Sequence, residues 1–266
     1  MPEPSTEHNE RPAGPDPDFA GRVVIVTGGS KGVGLGIARR FLRAGASVVT
    51  CARTPFDDPP AAETDEERER TVHVAADVRD PDQVDRVVRT AVDRFGRLDV
   101  LVNNAGGQPP ADMATVSPRF IKAIVDLNLT APIVFAQRAY QVMAEQPEGG
   151  SIINISSQTS LPGGGGARLA PYGAAKAGLN HVTRALGAAW GRKVRVNCVS
   201  LGYVRTDAMV ELLLPGDQAR AVDDRIPVGR MGTPEEIGGI CLFLASDAAA
   251  YINGATIWAD GGGGFS

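Results

Sequence analysis

The chain predicts an α/β domain, a doubly wound parallel β-sheet flanked by helices on both faces. Three observations carry that expectation. Short β-branched runs alternate with segments of helical periodicity along most of the chain. The first of these runs, Arg22-Val23-Val24-Ile25-Val26, is continuously apolar after its arginine, as suits a strand covered on both faces. A glycine-rich turn, Thr27-Gly28-Gly29-Ser30-Lys31-Gly32-Val33-Gly34-Leu35-Gly36, joins it directly to a helical segment. Parallel strands need a right-handed crossover through each helix, and such sheets bind ligands beyond the carboxyl ends of their strands.

The elements follow in order. Residues 1–18 are rich in Pro, Glu, Asp and Asn without periodicity and are expected to be a flexible tail ahead of one domain, 19–266. After the strand at 22–26 and the glycine turn, 37–45 has apolar residues at helical spacing and a glycine stop. A second strand is expected at 47–51. The acidic, proline-containing stretch 55–70 reads as an exposed loop with a short helix, its charges forming a solvated face. Strand 71–75, helix 81–95 and strand 98–102 come next. A long helix is expected over 118–145, then strand 151–155, helix 171–190 and strand 194–199. Helix 234–245 and strand 255–258 complete the sheet.

Composition sets the bounds. A chain of 266 residues with 43% hydrophobic content can build one domain with a full core. The net charge of −4 gives no reason to expect nucleic acid or an anionic membrane as partner. Cys51, Cys198 and Cys241 are odd in number and far apart, which fits reduced thiols in a cytoplasmic protein better than a disulfide framework or a zinc site. His8, His73 and His181 are scattered and form no ligand cluster, so no metal is expected. No apolar run approaches the roughly 20 residues that span a bilayer, and no signal peptide is visible.

Two motifs carry chemistry. Strand, glycine turn and helix together read as a dinucleotide seat, with a purely structural turn as the alternative in a chain of 32 glycines. The glycines let the backbone approach a pyrophosphate, and the helix N-terminus aims amide donors at it. The spacing of Gly28, Gly32 and Gly34 is not G-x-G-x-x-G, and Lys31 is not followed by the Ser or Thr of a Walker loop. The second motif is Tyr172 with Lys176 in Ala170-Pro171-Tyr172-Gly173-Ala174-Ala175-Lys176, one helical turn apart and able to share a face. An ammonium at about 4 Å, with an effective dielectric of about 20, is worth about 4 kcal/mol and would draw a phenol from about 10 toward roughly 7. A Tyr and a Lys so spaced are usually solvated surface residues; here the surrounding motifs favour the chemical reading.

Taken together, these residues resemble the short-chain dehydrogenases/reductases of the single-domain type, from about Phe19 onward. The resemblance rests on Thr27 to Gly34, Asp77-Val78, Asn103-Asn104-Ala105-Gly106, Asn128, Ser156-Ser157, Tyr172 to Lys176, Asn197 through Thr206 and Trp258-Ala259-Asp260-Gly261-Gly262. It implies a Rossmann-like fold and NAD(P)-dependent interconversion of a carbonyl and a secondary alcohol. It also implies site roles. Gly28, Ser30, Lys31, Gly32, Val33 and Gly34 would cradle the dinucleotide. Asp77 would accept from the adenine amino group beside Val78, with a helix N-cap as its alternative role. Asn103, Asn104, Ala105 and Gly106 would line the adenosine ribose and brace neighbouring strands. Gly202, Val204 and Thr206 would border the nicotinamide, with Thr206 on its carboxamide. Ser157 would donate to the substrate carbonyl. Tyr172 would give or take the alcohol proton. Lys176 would lower the Tyr172 pKa and bind the nicotinamide ribose. Asn128 would hold a water linking Lys176 to solvent, or satisfy a kink in the long helix, or do both.

Two departures from the family pattern stand out. Leu201-Gly202 replaces the usual Pro-Gly, which should loosen the backbone under the nicotinamide. The segment from Ser157 to Tyr172 is longer than usual and carries Gly163-Gly164-Gly165-Gly166, expected to be mobile where substrate enters. Cofactor choice follows from charge. The position that is acidic in NAD-specific members is Ala52, followed by Arg53, and Lys31 lies in the glycine loop. Two cations and no carboxylate suit a 2′-phosphate, so NADP(H) is expected, with NAD(H) possible and Asp57 and Asp58 counting against. The substrate is left open among ketones, aldehydes, steroid-like compounds and acyl thioesters. A lid is expected over 203–230, with Met209, Val210, Leu212, Leu213 and Leu214 as an apolar wall. The tight Tyr–Lys spacing argues for carbonyl chemistry over C=C reduction, since enoyl reductases of related fold space the pair more widely. A catalytically silent dinucleotide-binding regulator is the alternative, and the family suggests a homo-oligomer, tetramer or dimer, built through the helices at 118–145 and 171–190 and the last strand.

Overall fold

The computed structural model describes residues 17–162, 164–210 and 218–263. Seven strands form one sheet in the order β3-β2-β1-β4-β5-β6-β7. They are β1 Val23–Thr27, β2 Ser47–Ala52, β3 Thr71–Ala75, β4 Val100–Asn103, β5 Gly150–Ser157, β6 Val194–Leu201 and β7 Thr256–Ala259. Every neighbouring pair is parallel. The winding direction reverses between β1 and β4, so a crevice opens at the carboxyl ends of these two strands.

Burial on both faces explains the apolar strands. Val24 and Val26 of β1 face one core with Ile37, Phe41 and Leu42 of helix α1 (Gly32–Arg43) and Ile237 and Leu242 of helix α8 (Pro234–Ala245). Val23 and Ile25 face the other with Val84 and Val87 of helix α3 (Pro81–Phe95) and Phe135 and Met143 of helix α5 (Ala131–Met143). Fully burying one such side chain is worth about 1.5–3 kcal/mol. Ends are set by local chemistry. Asp80 accepts from the amides of Asp82 and Gln83 to start α3, and Gly96 at φ +80 stops it. Thr233 and Glu236 form a capping box on α8.

Several elements differ from the sequence expectation. Helix α1 starts at Gly32, inside the glycine run. The short helix expected within 55–70 is α2, Asp65–Glu69. Strand β4 begins at Val100, two residues later than expected: the amide and carbonyl of Leu98 are both taken by the Gln146 side chain, and the Asp99 carboxylate accepts from the Val23 amide, Arg22 and Arg97. The long helix is interrupted: α4 (Pro118–Val125) passes through a π turn, Asp126–Thr130, into α5. By length and composition the run Pro118–Met143 would qualify to cross a membrane, contrary to expectation, but it lies on the sheet with Phe135, Ala136, Ala139 and Met143 buried. Strands β5 and β6 run further than expected, pairing Ser157 with Leu201, which in turn pairs with Ala259 of β7. The loosening expected from the missing proline gives way to a buried, strand-paired Leu201. Helix α7, Gln218–Asp223, stands within the expected lid. Residues 1–16, Gly163 and Leu212 to Leu214 lie outside the described residues.

Candidate active site

The glycine turn is shaped by close approach. Gly28 and Gly32 take φ of +67 and +55, and side chains rarely adopt such values. A Cβ on Gly34 would collide with the Gly28 carbonyl and the Asn104 amide. Thr27 ties this turn to the loop after β4. Its hydroxyl accepts from the amides of Asn104 and Ala105, each at 2.9 Å, and Asn104 Nδ2 donates to the Thr27 carbonyl at 2.9 Å. Lys31, the N-cap of α1, puts no side-chain acceptor on the first amides, which therefore face the crevice unpaired by any cap, as a pyrophosphate requires. The cradle fits a dinucleotide: Gly28, Ser30, Gly32, Val33 and Gly34 would hold its phosphates, with Asn104, Ala105 and Gly106 alongside. Thr206 completes the wall, its methyl group 3.5 Å from where a Gly32 Cβ would sit. Gly202 is required by packing, since a Cβ there would lie 2.7 Å from the Asp260 Cα. Val204 is buried, and its backbone bridges to Gly232.

Asn103 acts as a brace. Its amide donates to the Pro132 carbonyl at 3.1 Å and to Asn154 at 2.9 Å, and Asn154 donates to Thr183 at 2.9 Å. Asp77 is already engaged: Arg79 Nε donates to its carboxylate at 2.9 Å, and this pairing holds the carboxyl below its ordinary value, with Arg53 adding to the effect. The expected adenine contact would share that carboxylate with Arg79. The cap on α3 is Asp80, and Val78 is buried.

The proton-transfer candidates converge at the carboxyl ends of β4 and β5. Helix α6, Ala170–Trp190, carries both Tyr172 and Lys176. Lys176 is only 2% exposed, and its ammonium donates to the Ile155 carbonyl at 2.7 Å. Burial pushes it down to about 8. The ammonium lies over the Tyr172 ring, 5.6 Å from the centroid. The expected lowering of the phenol by its neighbour is corrected here. Tyr172 is half-buried by exposed area, yet dense packing around the phenol pushes it above its ordinary value, and the opposing influence is the Ser157 hydroxyl hydrogen-bonded to it. Burial disfavours the charged phenolate, and it outweighs the Ser157 hydrogen bond.

Asn128 sits in the π turn, fully buried. Its amide donates to the Ile124 carbonyl that the π turn frees, at 2.9 Å, and to the Gly107 carbonyl at 3.0 Å, while its oxygen accepts from the Gly107 amide at 2.8 Å. A Cβ on Gly106 would lie 2.6 Å from Asn128 Oδ1 and 3.2 Å from Lys176 Nζ, so both side chains border one backbone position. Ser156 and Ser157 separate cleanly. Ser156 is buried and donates to the Lys176 carbonyl at 3.3 Å; Ser157 faces Tyr172. Next to Ser157 lies a cavity of about 370 Å³, lined by Gln158, Leu161, Pro162, Gly164, Gly165, Tyr203, Val222, Arg225, Ile226, Asp260 and Gly263. Gly164 and Gly165 of the glycine run border this cavity, and Val222 and Ile226 supply an apolar wall. Sequence reasoning did not assign Thr27 or Gln108; Gln108 accepts from the Tyr172 amide at 3.1 Å.

A family model described as Enoyl-(Acyl carrier protein) reductase matches residues 28–263. The L-rhamnose-1-dehydrogenase of Scheffersomyces stipitis is 35% identical over 249 residues, 91% of this chain and 95% of that protein. The 2-dehydro-3-deoxy-D-gluconate 5-dehydrogenase of Escherichia coli is 34% identical over 247 residues, again 91% and 95%. A short-chain type dehydrogenase/reductase from Mycobacterium marinum matches in structure with a TM-score of 0.84 and 32% identity, over 94% of this chain and 98% of that one. With such agreement in sequence and fold along nearly the whole chain, the protein belongs to the short-chain dehydrogenases/reductases, oxidoreductases that interconvert alcohols and carbonyls with a nicotinamide dinucleotide.

Proposed function

We propose that this chain is an NADP(H)-preferring oxidoreductase of polyhydroxylated carbonyl compounds, with Tyr172 as its proton-transfer group. The observation that carries the reading is the convergence of Tyr172, Ser157 and Lys176 beside Gly106 at the strand ends. The dinucleotide supplies or accepts the hydride. Ser157 donates to the substrate oxygen and holds it near the phenol. Tyr172 delivers the proton to the nascent alkoxide, or removes it in oxidation, and a group kept protonated by burial suits the reductive direction at neutral pH. Lys176 would bind the nicotinamide ribose when the dinucleotide is present, and Asn128 fixes the nearby Gly107 backbone. With all four residues present, a silent binding module is disfavoured.

The cofactor reading rests on Lys31 and Arg53. Both are exposed, and neither has an ion-pair partner among the described residues. Of the nearby carboxylates, Asp58 is paired with Arg68. The substrate reading rests on Gln158, Arg225 and Asp260 in the cavity wall, and on the carbohydrate-derived names of the two relatives above. Assembly as a dimer or tetramer is supported by exposed Ile121 and Ile133 along α4 and α5 and by Phe243 and Tyr251 near the last strand. The three unbridged thiols suit a reducing, cytoplasmic setting. A screen of NADPH and NADH oxidation over keto sugars, keto sugar acids, simple ketones and steroid ketones tests the reading. It expects a lower KM for NADPH and turnover of the polyhydroxylated group. A clear NADH preference would overturn the cofactor assignment, and turnover confined to steroid ketones the substrate assignment.

A further inference from the structure

The first turn of α6 holds Tyr172, yet its N-cap residue, Leu169, offers no side-chain acceptor. The first amides of a helix need partners from elsewhere. The Tyr172 amide finds one far away in sequence: Gln108 Oε1 accepts from it at 3.1 Å. The other end of the same side chain, Nε2, donates to the Arg168 carbonyl at 2.9 Å, and the Ala111 amide donates to that carbonyl at 3.2 Å. Gln108 directly follows Gly107, whose amide and carbonyl are both clamped by Asn128. One carboxamide therefore joins the loop that lines the dinucleotide crevice, the catalytic helix and the segment leading from the glycine run. Only a side chain with an acceptor and a donor at its tip can make both bonds.

We propose that Gln108 is a positioning residue for the reaction: it caps the Tyr172 amide from the crevice loop and thereby sets the phenol against Ser157. The proposal rests on the reading of Tyr172 as the proton-transfer group. Misplacing a reacting group costs rate in the chemical step, leaving binding largely intact.

The experiment compares Gln108→Met, Gln108→Glu and Tyr172→Phe in the full chain. Three quantities are measured: kcat and KM, dinucleotide affinity by fluorescence, and amide hydrogen exchange of the first α6 turn. Gln108→Met removes both bonds, so kcat should fall by about tenfold to a hundredfold with KM and dinucleotide affinity nearly unchanged. Exchange at the Tyr172 amide should accelerate. Gln108→Glu retains an acceptor, favoured at a helix N-terminus, and should restore exchange protection and most of kcat. In the Tyr172→Phe background, Gln108→Met should cost little further turnover. A raised KM at constant kcat would make Gln108 a substrate contact instead. Unchanged exchange in Gln108→Met, or equal losses in the Met and Glu variants, would also overturn the proposal. Wild-type turnover in Tyr172→Phe would instead defeat the proton-transfer reading, and the exchange result would still judge the cap on its own.

Discussion

The Lys176 ammonium lies over the face of the Tyr172 ring, 5.6 Å from its centroid, and is anchored to the Ile155 carbonyl at 2.7 Å. The lysine of α6 is thus tied to the end of β5 as well. It couples the sheet to α6 where the reaction would occur, and its charge is held in a buried site.

That burial has a consequence for stability. Lys176 is pushed down from 10.5 to about 8, so between these values the unfolded chain binds a proton that the folded chain does not. Stability from this group therefore rises with pH across that window, and is lost as pH falls toward 8. Lys176→Met removes the dependence. Thermal melts at pH 7 and pH 10 should show wild type gaining on the variant at the higher pH; a constant difference would contradict the assignment.

Ser156 and Ser157 should part company on mutation. Ser157→Ala removes the hydroxyl facing Tyr172 and should lower kcat/KM by about a hundredfold or more, with the melting temperature nearly kept. Ser156→Ala removes a buried hydrogen bond to the Lys176 carbonyl and should cost about 1 kcal/mol of stability. Steady-state kinetics beside melting curves of both variants would expose any reversal of these roles.

Arg53 bears on the choice of dinucleotide. Removing one charge-assisted hydrogen bond, worth about 1.5–3 kcal/mol, should weaken NADPH by about tenfold to a hundredfold. Arg53→Ala should leave NADH nearly untouched. Equal losses for both dinucleotides would mean that the guanidinium does not face a 2′-phosphate.

Much of this was legible in the sequence because local chemistry decided it. The bounds expected for α3, 81–95, match because Pro81 opens the helix at its first turn, and β-branched runs mark the strands. What escaped notice depends on distant partners. A kink at Asn128 was within reach of the sequence, but not that the side chain satisfying the Ile124 carbonyl at the π turn also holds Gly107. Gln108 and Thr27 act across long sequence separations, with no local pattern to flag them. Asp77 read as an open acceptor because nothing in its spacing reveals the pairing with Arg79. The lysine's effect on the phenol was overestimated because helical spacing gives proximity but not which way an ammonium turns.

Asn128 tests the weight of such distant partners. Asn128→Ala leaves the Gly107 amide and carbonyl and the Ile124 carbonyl without their partner, and should destabilise by about 2–4 kcal/mol as buried polar groups go unpaired. Denaturant unfolding measures it; a loss below about 0.5 kcal/mol would show that these groups find other partners.

The central claim is that the Tyr172 hydroxyl transfers the proton. Tyr172→Phe removes that one oxygen from a half-buried ring. The decisive measurement is kcat/KM for a carbonyl substrate together with dinucleotide affinity in wild type and variant. The account predicts a loss in kcat/KM of about a hundredfold to ten-thousandfold with affinity kept within a few-fold. Turnover near the wild-type rate with an intact dinucleotide site would contradict it.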